Sequence, residues 1–581
     1  MPRRGARQDI LAHHFRPSHS VTRHYTWGEP GTERMRRVNP NGLAWACCRQ
    51  PHVMGTRQMP PIRVLMVTAE AYPLAKTGGL GDAVTGMALA MGTAGQDVQV
   101  LLPAYPGVVD GLSRARTVAR LPDLPGGPAT LVRGQCRSSG MRVLALCNDA
   151  LYDRVSPYVD GEGKEHPDNA LRFAALSHAA SCIAQGLPGL DVPHVVHAHD
   201  WHAGLVPLLM HAAGVRGVRT VLTLHNMAFQ GAFDMAWADG IHLPRIYRNT
   251  QHAVAWDRLN FLKAGILHAD RVTTVSHHYA QEILTPAFGC GLDSVLASRG
   301  DALIAIPNGI DAHEWDPARD PALGENRYSA RDTRPKTRCK AVLQHAFGLH
   351  AREDSVIMAL GSRLTHQKMA DVAVQALPRA LDAHPQLQVA AIGCGDPAME
   401  AALAELAQRY PERCGVRIGY DETLAHRLHA GADILLHGSR FEPFGLTPLY
   451  AMRYGTIPIG SRVGGMVDTI RDPGQEAPLE AMRCATGVLF EGDSVDAMTA
   501  AIDRTLCLQQ RPALWRAMQR NAMTANFSWD HAVERYAALY RDLVGDLAEA
   551  VVPRVAARPK SSSLLALPAP GLADDAIPAA A

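Results

Sequence analysis

Short apolar, β-branched runs recur along the chain and alternate with stretches whose apolar residues return at helical spacing. Residues 62–68, 98–102, 142–146, 194–198, 220–224 and 271–275 form a first series of such runs. Residues 355–360, 387–393, 416–419, 434–436, 456–459 and 487–490 form a second. Runs of this length between helical patterns predict buried strands of parallel sheets covered by helices. The fold class is therefore α/β, with two doubly wound, Rossmann-like parallel-sheet halves. The segment 304–311 closes the first series, and the polar stretch 316–338 leads into the second. Ligands of such sheets bind beyond the carboxyl ends of the strands, so the cleft between two facing halves is the expected active site. An amphipathic pattern over 530–543, preceded by Ser528 as a cap, predicts a last helix.

Composition narrows this picture. A chain of 581 residues holds two or three domains. Charged residues at 20% and hydrophobic ones at 47% suit a soluble enzyme, and a net charge of +2 speaks against nucleic-acid binding. No apolar run reaches the roughly 18 residues of a membrane helix. The 11 cysteines are scattered with no CxxC, which suits reduced thiols in a cytoplasm. Residues 1–58 differ from the rest: ten arginines and no lysine against three acidic residues, and no apolar periodicity. They are predicted to form a disordered basic arm, with Met54 or Met59 an alternative start just before the first strand run. The Pro/Ala/Ser-rich residues 551–581 are predicted to be a disordered tail.

Candidate chemistry gathers at the ends of the strand runs. Lys76, Gly78 and Gly79 lie at the first strand-to-helix turn, where glycines let a ligand approach the backbone and a helix N-terminus suits phosphate. The spacing is neither GxxxxGK[ST] nor GxGxxG. After the fourth run come His197, His199, Asp200, Trp201 and His202. Zinc needs ligands converging on one point, and no second His/Cys cluster completes a set, so a sugar-binding loop fits better. Asp and His would bond hydroxyls there, and Trp would stack on a pyranose. His225 and Asn226 end the fifth run. Arg363 and Lys368 share a loop and could grip one diphosphate, although a solvated basic turn would look the same. Glu442 precedes Pro443, so its backbone is extended. Gly445, Leu446 and Thr447 then open a helix whose free N–H groups could meet phosphate.

Taken in order, KTGGL from Lys76, HAHDWH from His197, His225-Asn226, the Arg363–Lys368 loop and the Glu442 segment resemble the bacterial glycogen synthases and plant starch synthases, over 62–543. The resemblance implies a GT-B fold. Residues 59–312 would be an N-terminal starch-synthase catalytic domain, and 313–550 a C-terminal nucleotide-sugar-binding glycosyltransferase domain. It implies a retaining glucosyltransferase that extends glycogen or another α-1,4-glucan from ADP-glucose, needing no cofactor and no metal, and acting in the cytoplasm with no nucleic-acid or membrane partner. Alternatives are a relative using UDP-glucose, a non-catalytic glucan- or nucleotide-binding protein, or a GT-B epimerase.

By the same resemblance, His225, Asp200, Glu442, Arg363 and Lys368 are the catalytic set. His225 would lie beside the transferred glucose, Glu442 would bind its hydroxyls, and the two cations would stabilise the leaving diphosphate. Lys76, Gly78, Gly79, Glu70, Asp82, Trp201, His202, Asn226, Asn308, Tyr420, Gly445, Leu446 and Thr447 would bind substrate, with Tyr420 stacking on adenine. The chain departs from the family pattern at Met369, where glycine is usual, and often at Phe444 and Pro448, where many members carry Cys and Gln. Tyr450 stands where other GT-B families have a second Glu.

Overall fold

The first apolar run becomes Arg63–Val67, a central strand of a nine-stranded sheet. The computed structural model describes residues 60–551, the side chains of the last six excepted. The predicted arm 1–58 and tail 551–581 lie outside these residues, apart from Val551, the last residue of a helix. Across the sheet the order is Leu303–Ala305, Arg271–Thr274, Arg219–Leu224, Val195–His199, Arg63–Val67, Asp97–Pro103, Arg142–Cys147, Ala129–Cys136 and Leu112–Leu121. The first seven run parallel. The last two are antiparallel, so the sheet is mixed at one edge and not purely parallel as expected. A three-stranded sheet of Ala232–Phe233, Arg258–Asn260 and Val254–Ala255 was also not foreseen.

The second series forms a six-stranded, wholly parallel sheet ordered Cys414–Ile418, Leu387–Gly393, Val356–Gly361, Ile434–His437, Ile457–Ser461 and Val488–Phe490. Apart from the edge strand Cys414–Ile418, its strands are buried along most of their length, as sheets covered on both faces must be.

Two sets of contacts fix one half against the other. At the cleft, Ser276 Oγ donates to the Pro443 carbonyl at 2.7 Å, the His277 N–H to Asp468 Oδ2 at 2.6 Å, and the Gly464 N–H to Glu282 Oε1 at 3.0 Å. Behind it, the chain returns. Ile310 donates to the Phe527 carbonyl at 2.8 Å, and the helix Asp530–Val551 then runs over the first sheet. Tyr536 and Tyr540 from this helix are buried, and buried hydroxyls need partners. Tyr540 OH lies 2.7 Å from His197 Nδ1, and Tyr536 OH 3.3 Å from Thr273 Oγ1. The helix is thus bolted to strands that end in the candidate site. A Cβ on Gly86 would lie 2.2 Å from Trp529 Nε1, so only glycine admits the start of that helix.

Candidate active site

In the second half, the loop after Val356–Gly361 and the loop after its neighbour Ile434–His437 meet at one buried ion pair. Glu442 Oε2 binds Lys368 Nζ, His437 Nε2 at 3.1 Å and Ser439 Oγ at 2.9 Å. The other oxygen, Oε1, has no protein partner among the described residues. Burial opposes the charge of Glu442, but Lys368 beside it and the bond from His437 hold its carboxyl well below the usual range. It is an anion with one oxygen committed and one to offer. Burial also keeps His437 neutral, with Lys368 adding to the effect.

The backbone of Glu442 is held just as tightly. Gly465 donates to its carbonyl at 3.1 Å. Gly464 has φ +46°, and a Cβ there would sit 1.9 Å from the Glu442 carbonyl oxygen. Sequence reasoning missed this glycine pair, as it missed His437. The signal was present: a Gly-Gly at a strand-to-helix turn after the run 456–459, matching the one at 78–79.

Gly445, at φ +88°, starts the helix Leu446–Arg453, which has no side-chain cap. Leu446 and Thr447 carry its first open N–H groups, and Pro448 has none to offer. A Cβ on Gly79 would lie 3.1 Å from Leu446 Cδ1. The starts of Leu446–Arg453 and Gly79–Thr93, also without a side-chain cap, therefore meet across the cleft. Two positive helix ends at one place favour an anion.

Glu70 departs from expectation. It lies beneath the first loop, not in the cleft, and accepts from Thr77 N at 2.7 Å, Thr77 Oγ1 at 2.7 Å, Gly78 N at 3.1 Å and Tyr158 OH at 2.6 Å. It shapes the turn and consumes the Gly78 N–H that phosphate was expected to meet. Lys76 does reach the cleft. Its ammonium lies 3.1 Å from Asp82, 3.6 Å from Glu422 and 3.4 Å from Tyr420 OH. Burial works against that charge, yet the two carboxylates outweigh it and raise the Lys76 pKa. Burial pushes Asp82 up to about 6 in spite of Lys76. Tyr420 is 67% exposed, with Lys76 Nζ 5.7 Å from its ring centroid.

At the end of Val195–His199, Asp200 takes φ +55° and its Oδ1 accepts from the N–H groups of His225 at 2.6 Å and Asn226 at 3.3 Å. Burial pushes its carboxyl up to about 7, against those two bonds. Asp200 therefore holds the next loop in place. His225 Nε2 is 3.0 Å from His199 Nδ1, and burial lowers its pKa to about 3. Asn226 Oδ1 accepts from Ala228 N at 3.0 Å. Trp201 and His202 sit in an aromatic cluster. Trp201 is enclosed by Phe173 at 4.9 Å, Phe233 at 5.7 Å and His202 at 4.1 Å between ring centroids. His202 stacks on Tyr158 at 4.8 Å. Both are buried, and both pack against aromatic neighbours of the first half.

Arg363 is exposed on its loop and bonds Gln367 at 3.3 Å. Asn308 sits in the turn that meets the returning chain, where a Cβ on Gly309 would lie 2.6 Å from Trp529 N. Met369 takes the left-handed φ of +52° that glycine usually supplies, and it is fully buried. Tyr450, at the place of a second Glu, stacks on Trp315 at 3.8 Å and is structural. The ligand atoms of Glu314, Glu422 and His426 lie within 4.8 Å of one another. His426 already bonds Asp320 at 2.9 Å, and Glu422 bonds Tyr420 and Lys76.

Gly464→Ala and Gly474→Ala separate backbone strain from contact. Both glycines have positive φ, but a Cβ on Gly474 meets nothing within 4 Å. Gly474→Ala should cost about 1–2 kcal/mol. Gly464→Ala should cost clearly more, because the Glu442 carbonyl must move. Urea unfolding of both variants checks this, and equal losses would contradict it.

Comparison with known proteins agrees with this geometry. Residues 63–298 match the family model for the starch synthase catalytic domain, and 344–522 that for glycosyl transferases group 1. The chain is 60% identical over 499 residues to the glycogen synthase of Bordetella bronchiseptica, covering 85% of this chain and 98% of that one. It is 52% identical over 483 residues to the glycogen synthase of Ralstonia nicotianae, covering 83% and 88%. The catalytic domain of Starch Synthase IV from Arabidopsis thaliana, solved bound to ADP and acarbose, superposes with a TM-score of 0.74 at 27% identity, covering 84% of this chain and 100% of that one. With a largely parallel sheet in each half, matching family models over each and close relatives over most of its length, the chain belongs to the bacterial glycogen synthase family and has the GT-B fold of the starch synthases.

Proposed function

We propose that the protein transfers glucose from ADP-glucose to the non-reducing end of an α-1,4-glucan, with retention at the anomeric carbon. The observation that carries this is Glu442: a buried carboxylate with one oxygen fixed by Lys368, His437 and Ser439 and the other free. It stands beside a helix N-terminus that suits a diphosphate. The Arabidopsis relative supports adenine in the donor. The proposed domain division is 59–312 for the N-terminal starch-synthase catalytic domain and 313–550 for the C-terminal nucleotide-sugar-binding domain. The nine free cysteines among the described residues suit a cytoplasmic location, and no helix there is long and apolar enough to cross a membrane.

In this reading the diphosphate lies at the start of Leu446–Arg453, with Arg363, Lys368 and Lys76 around it. As the bond from the anomeric carbon to phosphate breaks, negative charge builds on the leaving oxygens, and these cations bind that charge more strongly than the intact donor. Glu442 Oε1 accepts from donor-sugar hydroxyls, and His225 lies beside the transferred glucose. Tyr420 offers its exposed face to adenine. Glu442 Oε1 is given to the sugar hydroxyls, and Asp200 Oδ1 holds two backbone N–H groups, so neither carboxylate is assigned the role of a covalent nucleophile. A front-face displacement fits better. The acceptor hydroxyl forms the new bond on the face from which ADP departs, and its proton passes to the leaving phosphate.

Incubation with glycogen and either ADP-glucose or UDP-glucose tests the reading. Transfer from ADP-glucose is expected, and transfer only from UDP-glucose, or none, refutes it. Glu442→Ala should lower kcat by about a hundredfold while ADP affinity barely moves, because ADP carries no sugar for Glu442 to hold. ADP affinity falling in step with melting temperature would make Glu442 structural instead. Lys76→Ala should weaken donor binding and turnover by about 1.5–3 kcal/mol, the cost of a charge-assisted contact. Steady-state kinetics with unchanged KM and kcat would remove Lys76 from the site.

A further inference from the structure

We propose that His199 is a positioning residue: its Nδ1–H donates to Nε2 of His225 and so holds His225 in the tautomer that presents Nδ1–H to the cleft. This rests on the reading above only in placing the sugar donor beside His225.

The geometry leaves two arrangements. The ring nitrogens are 3.0 Å apart, so one carries the proton and the other accepts it. Burial keeps both rings neutral, so each has one N–H and one bare nitrogen. The second nitrogen of His199, Nε2, is buried without any partner. If His225 were the donor, the proton of His199 would have to sit on that nitrogen. That would be an orphaned buried N–H, which folded proteins avoid more strictly than an unpaired acceptor. The proton therefore belongs on His199 Nδ1, and His225 Nε2 accepts. His225 then carries its own proton on Nδ1. That atom makes no hydrogen bond among the described residues, and His225 is partly exposed. The cleft thus receives a neutral N–H donor, suited to an oxygen of the donor sugar or of the leaving phosphate.

The His199 ring is itself held in place. It stacks on His197, with centroids 4.3 Å apart and planes 27° from parallel. Both nitrogens of His197 are committed, to Tyr540 OH at 2.7 Å and to Thr223 Oγ1 at 2.5 Å. Asp200 fixes the backbone of His225 from below. One chain of contacts therefore runs from the C-terminal helix through His197 and His199 to His225.

The direct test is the nitrogen NMR spectrum of the full chain labelled with 15N at histidine, with His225 assigned by its loss in His225→Ala. Nδ1 of His225 in the protonated range and Nε2 in the bare range is expected. The reverse pattern overturns the proposal, and it does so whatever reaction the protein performs. Kinetics give the second test. His199→Phe keeps the stacked ring but removes the donor, and should lower kcat by about tenfold or more, with KM for ADP-glucose changed less than about threefold. His199→Asn, whose amide can donate from the place of Nδ1, should recover most of the loss. In the His225→Ala background, His199→Phe should have no further effect. The same loss in both backgrounds, or no recovery with Asn, overturns the proposal. If the Phe variant does not fold, the spectrum decides.

Discussion

The buried pair of Lys368 and Glu442 is the constraint on which the site depends. A carboxylate cannot be buried in a parallel sheet's end without a partner, and an unpaired one would take up a proton instead. The partner comes from the loop after Val356–Gly361, and Glu442 from the loop after Ile434–His437. These strands are adjacent, with Met358 opposite Ile434, so the two loops emerge side by side. His437 is the last residue of its own strand and bonds the same oxygen. Gly464 and Gly465, at the end of the next strand, fix the backbone. Three neighbouring strands thus contribute to holding one carboxylate, and leave one oxygen of it open.

The halves meet where each has a helix start. Gly79 against Leu446 has no room for a side chain to spare, and Ser276, His277 and Glu282 tie the first half to the loops around Glu442. The returning C-terminal helix closes the arrangement from behind through Tyr536 and Tyr540. Its polar contacts are long-range in sequence, so the order in the first half's histidine cluster depends on residues more than 300 positions away.

Much of this was legible in the sequence, because parallel strands are buried on both faces and read as unbroken apolar runs. All twelve expected runs became strands. The hairpin Leu112–Leu121 and Ala129–Cys136 escaped because it lies at the sheet edge. Leu112–Leu121 has four exposed residues in a row and a register shift near Arg114, so no alternation survives. Among site residues, the charges at Lys76, Arg363, Lys368 and Glu442 could be placed at strand ends. Their mutual distances could not, since they depend on which strands are neighbours. The internal contacts of motif residues such as Glu70, Trp201 and His202 were not legible for one reason: polar and aromatic types that suit a sugar equally suit a buried support. Glu70 satisfies four donors of its own chain, and Trp201 fills a gap against Gly231. The partners of each side chain come from other elements, and those are not written locally.

The central claim is that Lys368 and Glu442 act as one unit, and a double-mutant cycle on glucosyl transfer tests it most directly. Lys368→Met, Glu442→Gln and the double variant are compared by kcat with ADP-glucose and glycogen. The account predicts that the double variant loses little more than the worse single one, because either change already destroys the arrangement that orients the sugar. Losses that multiply would show two independent residues and contradict it.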